Sequence, residues 1–286
     1  MLNDYRPIVK RAEADAAGGA PDRALRQLRR LSLRDFGDLM WQLPLAEFPA
    51  LSAMLPRMAS DEVQQAWTGS SGGHMLNSSV DFIRIVQAHF ERICRRPLQR
   101  ARILDYGCGY GRLARLMYWY SDPEDYYGVD PWDRSIELCR DSGLLGQIAQ
   151  SEYFPETLPV GEQRFDLIYA YSIFTHTSLR ATRAALTVLR NYIHSTGLLV
   201  ITVRPVDYWP IVTRITPEER QNQIVLHQRD GFAYVPDTFP VIEGEVIFGD
   251  TSMTPEWIER QFPFWRVEAY DRGIDPWQTI LMLTPR

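Results

Sequence analysis

A chain of 286 residues with 45% hydrophobic and 12% aromatic residues can bury one large core and still carry extensions. Its net charge of −5 argues against general nucleic-acid binding, which marks basic domains. Cys94, Cys108 and Cys139 form no C-x-x-C pair, so a disulfide framework is excluded and a reducing, cytoplasmic setting is expected. No charged-then-apolar leader opens the chain, and no apolar run reaches the ~18–20 residues that span a bilayer.

Residues 1–98 read as a helical extension and lid. Asp22–Met40 carries Leu25, Leu28, Leu31, Phe36, Leu39 and Met40 at helical spacing, and Pro44, Pro49 and Pro56 then break an apolar stretch into short pieces. The run Arg23, Arg26, Arg29, Arg30, Arg34 reads as a solvated helix face. The aromatics of this extension could be buried in a homodimer. Trp67–His74 reads as a polar, glycine-rich loop before a helix that carries Val80, Ile83, Val86, Phe90 and Ile93 and is capped by Ser78 or Ser79. Such a loop suits a plain linker, or a lid over a nucleoside with Trp67 as its contact.

Ala101–Arg115 is the stretch on which the chain turns. Ile103 and Leu104 suit a buried parallel strand, Gly107, Gly109 and Gly111 alternate in a turn, and Leu113, Leu116 and Met117 then recur at helical spacing. A dinucleotide fold would show G-x-G-x-x-G against a pyrophosphate. Here the spacing is G-x-G-x-G behind Asp105, and a carboxylate there repels a pyrophosphate but attracts a cation. Cys108, within the turn, reads as a small packing residue.

Tyr126–Asp130 is the second strand. Asp130 ends it about twenty residues past the glycine turn, where an acid accepts hydrogen bonds from a ribose diol. Pro131 and Trp132 follow, and the indole could lie on an adenine face. A helix over Ser135–Ser142 and a weakly marked third strand within Leu144–Ser151 come next. Phe165–Tyr171 is a clear fourth strand, with Asp166 structural at its start. Tyr171, Ser172, Phe174 and His176 sit at its carboxyl end, the edge at which open α/β sheets bind ligands. Leu179–His194 is amphipathic, and Leu198–Val203 is apolar enough for a central strand, broken by Arg204-Pro205.

The insertion at about 206–254 offers Asp207, Tyr208, Trp209, His227 and Asp250 for substrate selection. Within it, Phe232–Val235 and Glu245–Phe248 are expected to pair as a hairpin. Thr254 and Pro255 then open a helix, and two strands, Trp265–Tyr270 and Gln278–Leu283, close the chain.

The Asp105 glycine turn resembles motif I of the class I S-adenosylmethionine (SAM)-dependent methyltransferases. The Phe165–Ile168 run followed by Ser172–His176 resembles their fourth strand and its loop, and the closing strand pair matches their topology. This resemblance implies an α/β, three-layer Rossmann-like fold. Its seven-stranded, mostly parallel sheet has an antiparallel last strand, an N-terminal helical extension and an insertion after strand five. Residues 99–286 would be the SAM-binding domain, with S-adenosylhomocysteine (SAH) as product. The resemblance assigns Asp105, Gly107, Cys108, Gly109, Asp130, Pro131, Trp132, Tyr171, Ser172 and Phe174 to the cofactor, with Trp67 as lid, and adds Ser151 and Glu152 near the adenine.

Phe174–Thr177, the late insertion and Asp275–Gln278 look like bacterial members acting on sugars or glycan intermediates. The implied reaction is O-methylation of a small-molecule or glycan acceptor, with His176 or His227 as base and Asp250 as its partner. No metal is expected. A catalytically silent SAM-binding module and an NAD-dependent oxidoreductase are the competing readings.

Overall fold

The computed structural model describes residues 5–273 and 276–286. Asp275, in the Asp275–Gln278 fragment, lies outside them. Six helices open the chain: α1 (Arg6–Ala17), α2 (Pro21–Leu28), α3 (Leu33–Gln42), α4 (Pro49–Met54), α5 (Asp61–Thr68) and α6 (Gly72–Cys94). Alternation follows, with β1 (Ile103–Tyr106), α7 (Ala114–Met117), β2 (Tyr126–Asp130), α8 (Asp133–Asp141), β3 (Gln147–Gln150), β4 (Phe165–Ala170), α9 (Leu179–Tyr192) and β5 (Ile193–Val203). The insertion contributes α10 (Pro217–Asp230), β6 (Phe232–Pro236), β7 (Val241–Ile242), β8 (Glu245–Val246) and β9 (Gly249–Met253). Last come α11 (Pro255–Gln261), β10 (Trp265–Asp271) and β11 (Thr279–Pro285).

One seven-stranded sheet runs in the order β10-β11-β5-β4-β1-β2-β3. β1 is parallel to β4, β4 to β5 and β2 to β3, whereas β11 is antiparallel to β5 and β10. This is the α/β sheet with an antiparallel last strand that the sequence led us to expect. β1 is buried along its whole length and β5 from Gly197 onward, which is why neither shows polar alternation there.

The chain divides into two compact units. The first holds the chain up to Arg84, Leu98–Ala101 and Cys108–Gln150. In it, α3 packs on α7 through Gly37, where a Cβ would come within 2.9 Å of Leu76 and Leu116. Arg29 is not a solvated residue. Its guanidinium donates to the Tyr118 carbonyl at 2.8 Å, the Ser121 carbonyl at 2.6 Å and the Asp122 carboxylate at 2.6 Å.

Two expectations fail in this unit. The helix anticipated after the glycine turn shrinks to the single turn of α7, because neighbouring amides close onto carbonyls three residues back, as from Leu116 to Leu113 and Tyr120 to Met117. Arg115, fully buried, takes up carbonyls the missing helix would have used: its guanidinium donates to Tyr110 and Gly111, at 3.0 and 2.6 Å, and to Arg57 at 2.5 Å. The polar loop at Trp67 is also absent. Trp67 lies in α5, capped by Ser60 and ended by Gly69 at φ 68, and α6 already begins at Gly72. Ser78 and Ser79 are therefore interior to α6, where both hydroxyls donate to the Met75 carbonyl.

The second unit holds Ile85–Pro97, Arg102–Gly107 and Ser151–Arg286. Asp166 is structural as expected, accepting from the Arg102 amide at 2.8 Å and from Arg96 at 2.7 Å. The hairpin expectation is corrected: β6 pairs with β9, Phe232 opposite Met253, while β7 and β8 form their own small ribbon. Alternating apolar residues in Glu245–Phe248 matched β6 in pattern, but the short β7–β8 ribbon claims Glu245 and Val246 first. Sequence reading left α10 unassigned, although Thr216-Pro217-Glu218-Glu219 carries its capping box and Gly231, at φ 80, its stop.

Gly107 sits at φ +80, and a Cβ there would lie 2.1 Å from Ile173 Cδ1. Gly107→Ala is expected to destabilise the protein by about 3 kcal/mol in urea unfolding, from left-handed backbone and overpacking together. In an Ile173→Ala background the steric part disappears and about 1 kcal/mol should remain.

Candidate active site

Within the first unit the groups assembled are Gly109, Asp130, Trp132 and Ser135, with Trp67 from α5. Asp130 ends β2, and each of its carboxylate oxygens takes one backbone amide: Oδ2 from Gly109 at 2.9 Å and Oδ1 from Trp132 at 2.9 Å. Burial pushes its pKa up, against those two amides and the Ser135 hydroxyl, which favour the charged form. With the two amides and the Ser135 hydroxyl on it, the carboxylate keeps about one of its four lone-pair sites for a further donor.

The indoles of Trp67 and Trp132 stack, with ring centroids 4.6 Å apart and planes 15° from parallel. The Trp67 indole donates to Ser135 Oγ at 3.3 Å and meets Tyr110 edge-on at 6.5 Å. The buried Gln64 side chain steadies the strap bearing Trp67, donating to the Ala59 carbonyl at 2.7 Å and accepting from the Gly72 amide at 2.9 Å. Gly109 faces Trp67, which a Cβ there would meet in ordinary van der Waals contact at 3.5 Å. Cys108 is buried against Ile136, Cys139, Leu144 and Ile148, a packing residue as its size suggested. Pro131 is half-buried between Asp130 and Trp132.

In the second unit, Asp105 is buried at the end of β1 and accepts the Tyr169 hydroxyl at 2.9 Å. Ser172 follows β4 at φ 61, in the left-handed region, where a non-glycine residue is strained. Its amide donates to Thr202 Oγ1 at 2.7 Å. Tyr171 is half-buried beside it, Phe174 is wholly buried and presents no surface, and Glu152 is exposed. Ser151 is buried, and its hydroxyl has no hydrogen-bond partner. A hydroxyl sealed from water without a partner is costly, which fits a site whose partner is a ligand.

The histidine and acid candidates behave differently from expectation. His176 Nδ1 faces the Gly249 carbonyl at 2.9 Å, and since a carbonyl only accepts, Nδ1 carries the proton. Nε2 is then the acceptor, and it receives Arg204 at 3.3 Å. The imidazole stacks on Phe248 at 4.7 Å. Burial first, and Arg204 second, push the pKa of His176 down to about 4. Its one basic lone pair is committed, so His176 is not poised as a base.

Asp250 is not its partner either. That carboxylate is paired with Arg204 and with Arg214 at 2.7 Å, and it accepts the Tyr208 hydroxyl at 2.6 Å. Burial works to raise its pKa, but Tyr208 and the two guanidiniums outweigh burial and hold the carboxyl below the ordinary range. His227, on α10, belongs to a separate buried network in which Ser252 Oγ meets His227 Nδ1 at 2.7 Å and the Trp209 indole at 2.8 Å. Burial lowers its pKa as well. The insertion thus brings His176 and Asp250 to one cluster through Arg204, which sequence reading took only as the end of β5. An arginine directly behind a buried strand, at its carboxyl end, was the available signal.

Between pH of about 6.5 and about 4 the unfolded chain protonates its histidine while native His176 stays neutral. Stability therefore rises with pH in that window and is lost as pH falls through it. The expected loss is at most about 3 kcal/mol, and His176→Gln should flatten this limb in urea unfolding measured against pH.

Residues 103–197 match the family model described as a methyltransferase domain. No curated protein matches the chain in sequence. Among solved structures, a SAM-dependent methyltransferase from Clostridium acetobutylicum superposes with a TM-score of 0.51 at 13% identity, covering 78% of this chain and 96% of that one. DesVI of Streptomyces venezuelae gives 0.51 at 13% identity, over 80% and 99%. The magnesium protoporphyrin IX methyltransferase of Synechocystis PCC 6803, solved with bound SAH, gives 0.50 at 11% identity, over 79% and 94%. Residues 103–197 thus match a methyltransferase domain, in a chain with the fold of solved SAM-dependent methyltransferases.

Proposed function

We propose that the protein transfers a methyl group from SAM to a hydroxyl of a small molecule, sugar or glycan intermediate in the cytoplasm. The observation that carries the reading is the buried Asp130 carboxylate at the end of β2, oriented by the amides of Gly109 and Trp132 and the Ser135 hydroxyl with one lone-pair site to spare. That arrangement suits a ribose hydroxyl.

SAM supplies a methyl group already activated by its sulfonium. The chain's own residues bind and align. Asp105 would attract the cationic amino-acid end, and Asp130 would hold the ribose. Trp132, 45% exposed, would offer its open face to the adenine. Holding acceptor and methyl in line supplies several kcal/mol, as positioning does generally. The sugar-type acceptor is supported by the resemblance of Phe174–Thr177 and by the insertion that surrounds it. With the lone pair of His176 engaged by Arg204, that histidine orients the cluster, and the proton of the acceptor's hydroxyl passes to solvent.

Calorimetry tests the reading. Wild-type protein should bind SAM and SAH and ignore NAD, and Asp130→Ala should weaken SAH by tenfold or more, about 1.4 kcal/mol. Cofactor should also change the tryptophan emission, since Trp67 and Trp132 are stacked, and Trp67→Phe should remove most of that change. Binding of NAD in place of SAM would overturn the cofactor assignment. Binding of SAM without methylation of any hydroxyl-bearing sugar would overturn the proposed acceptor class.

A further inference from the structure

We propose that Arg204 and Arg214 form an oxyanion-binding site that selects an acceptor bearing a carboxylate or a phosphate. The inference rests on the reading of the chain as a transferase to a hydroxyl-bearing small molecule, and it adds what else that molecule must carry.

The argument begins with charge. Both guanidiniums converge on the single carboxylate of Asp250. Tyr208 keeps its proton, because burial and the Asp250 carboxylate push its pKa up. His176 is neutral in the geometry described above, with its proton on Nδ1. The cluster itself holds two cations and one anion in a chain whose net charge is −5, with Asp237 and Glu245 beside Tyr234 on the Arg214 side. Glu219, near Arg214, is spent on the amide and hydroxyl of Thr216 at the start of α10.

Donor capacity gives the same answer. A guanidinium has five N–H groups. Arg204 uses two, on Asp250 and His176, and its side chain is only 11% exposed. Its remaining three have no acceptor among the described residues. Arg214 uses three, on Asp250 and the carbonyls of Pro236 and Val235, and it is 34% exposed. A largely buried cation with unspent donors is expensive unless an anion completes it.

Position gives the third argument. Arg204 directly follows β5, and His176 lies on the loop after β4, at the carboxyl ends of two central parallel strands. The Arg204 guanidinium is fixed over the Tyr208 ring at 3.8 Å, so it is already oriented. Phe248, 43% exposed and backed by the His176 ring, offers a flat apolar face next to the cluster. An oxyanion held by a guanidinium fork, beside an aromatic platform, is what a sugar acid or sugar phosphate requires. Asp250 is the strut that holds the two forks in place.

The test uses SAH-saturated full-length protein, titrated calorimetrically with glucuronate, glucose 6-phosphate and neutral glucose. One or both anionic sugars should bind with a Kd of about 1 mM or tighter, and glucose at least tenfold more weakly. A preference for glucuronate would identify the group as a carboxylate, and one for glucose 6-phosphate as a phosphate. Arg214→Gln, at the more exposed position, should weaken the anion at least tenfold and leave SAH affinity unchanged, and Arg204→Lys should act in the same direction. Equal binding of glucose and the anionic sugars, anion affinity untouched by Arg214→Gln, or no saturable binding of either anion would overturn the proposal. The SAH titration that precedes these steps separates this failure from failure of the transferase reading, which would appear there as loss of cofactor binding in the wild type.

Discussion

The constraint on which the rest depends is the left-handed backbone between β1 and β2. Gly107, Gly109 and Gly111 have φ of 80, 54 and 75°. L-residues pay about 1–2 kcal/mol each for that conformation, so three in alternation would be prohibitive with any other residue type. The tight path turns the Gly109 amide onto Asp130 and lets Ile173 close on Gly107. It also forbids a regular helix directly behind it, since the carbonyls of Tyr110 and Gly111 point to the buried Arg115 instead. A phosphate-binding turn uses the amides of a long helix start. This one ends in a single helical turn, and the anchors it leaves are carboxylates: Asp105 before it and Asp130 after it. Those suit a cofactor whose reactive end is cationic.

A second centre of charge organises the insertion. Asp250 on β9 draws Arg204 from the end of β5, Arg214 from the segment before α10 and the hydroxyl of Tyr208. β9 is held by β6 on one side, and the Gly249 and Thr251 amides bond the carbonyls of His176 and Thr175. The insertion is therefore bound into the carboxyl edge of the parallel strands through backbone as well as side chains. Removing one partner from such a buried set leaves the others uncompensated, so the cluster acts as a unit. His176 is part of that unit, which explains why a histidine at the functional edge of a sheet has lost its basicity.

The sheet was legible because its signals are local and apolar. β1, β4 and the second half of β5 are dominated by apolar residues, and the Thr254 cap accepts from Trp257 as short-range rules predict. The Asp105–Gly107–Gly109 turn and Asp130 were legible for the same reason: their spacing in the chain is fixed by geometry. What escaped reading was long-range. Nothing local reveals that Arg29 reaches Tyr118, that Arg115 is buried, or that β6 skips the nearer β8 to pair with β9. Glycines at 69, 72 and 73 suggested a loop, but tertiary packing of Trp67 and Met75 overrides their low helix propensity and leaves only residues between α5 and α6 unwound. His176 and Asp250 were found as residues and misread as a pair, because the arginine that separates them looked like punctuation.

The two charge arrangements divide the work of the molecule. In the proposed reading Asp105 faces the cationic end of the cofactor, while Arg204 and Arg214 face an anionic acceptor. Opposite signs keep each ligand out of the other's place, since an oxyanion near Asp105 or a sulfonium near Arg204 would meet like charge in partly buried surroundings where repulsion is poorly screened. Under the proposal, specificity comes from the insertion rather than from the parallel sheet. On this view the acceptor's hydroxyl need not be recognised in its own right. Under the proposal, the oxyanion is anchored by the guanidiniums and the ring stacks on Phe248, so removing the anion should cost acceptor affinity before it costs that of the cofactor.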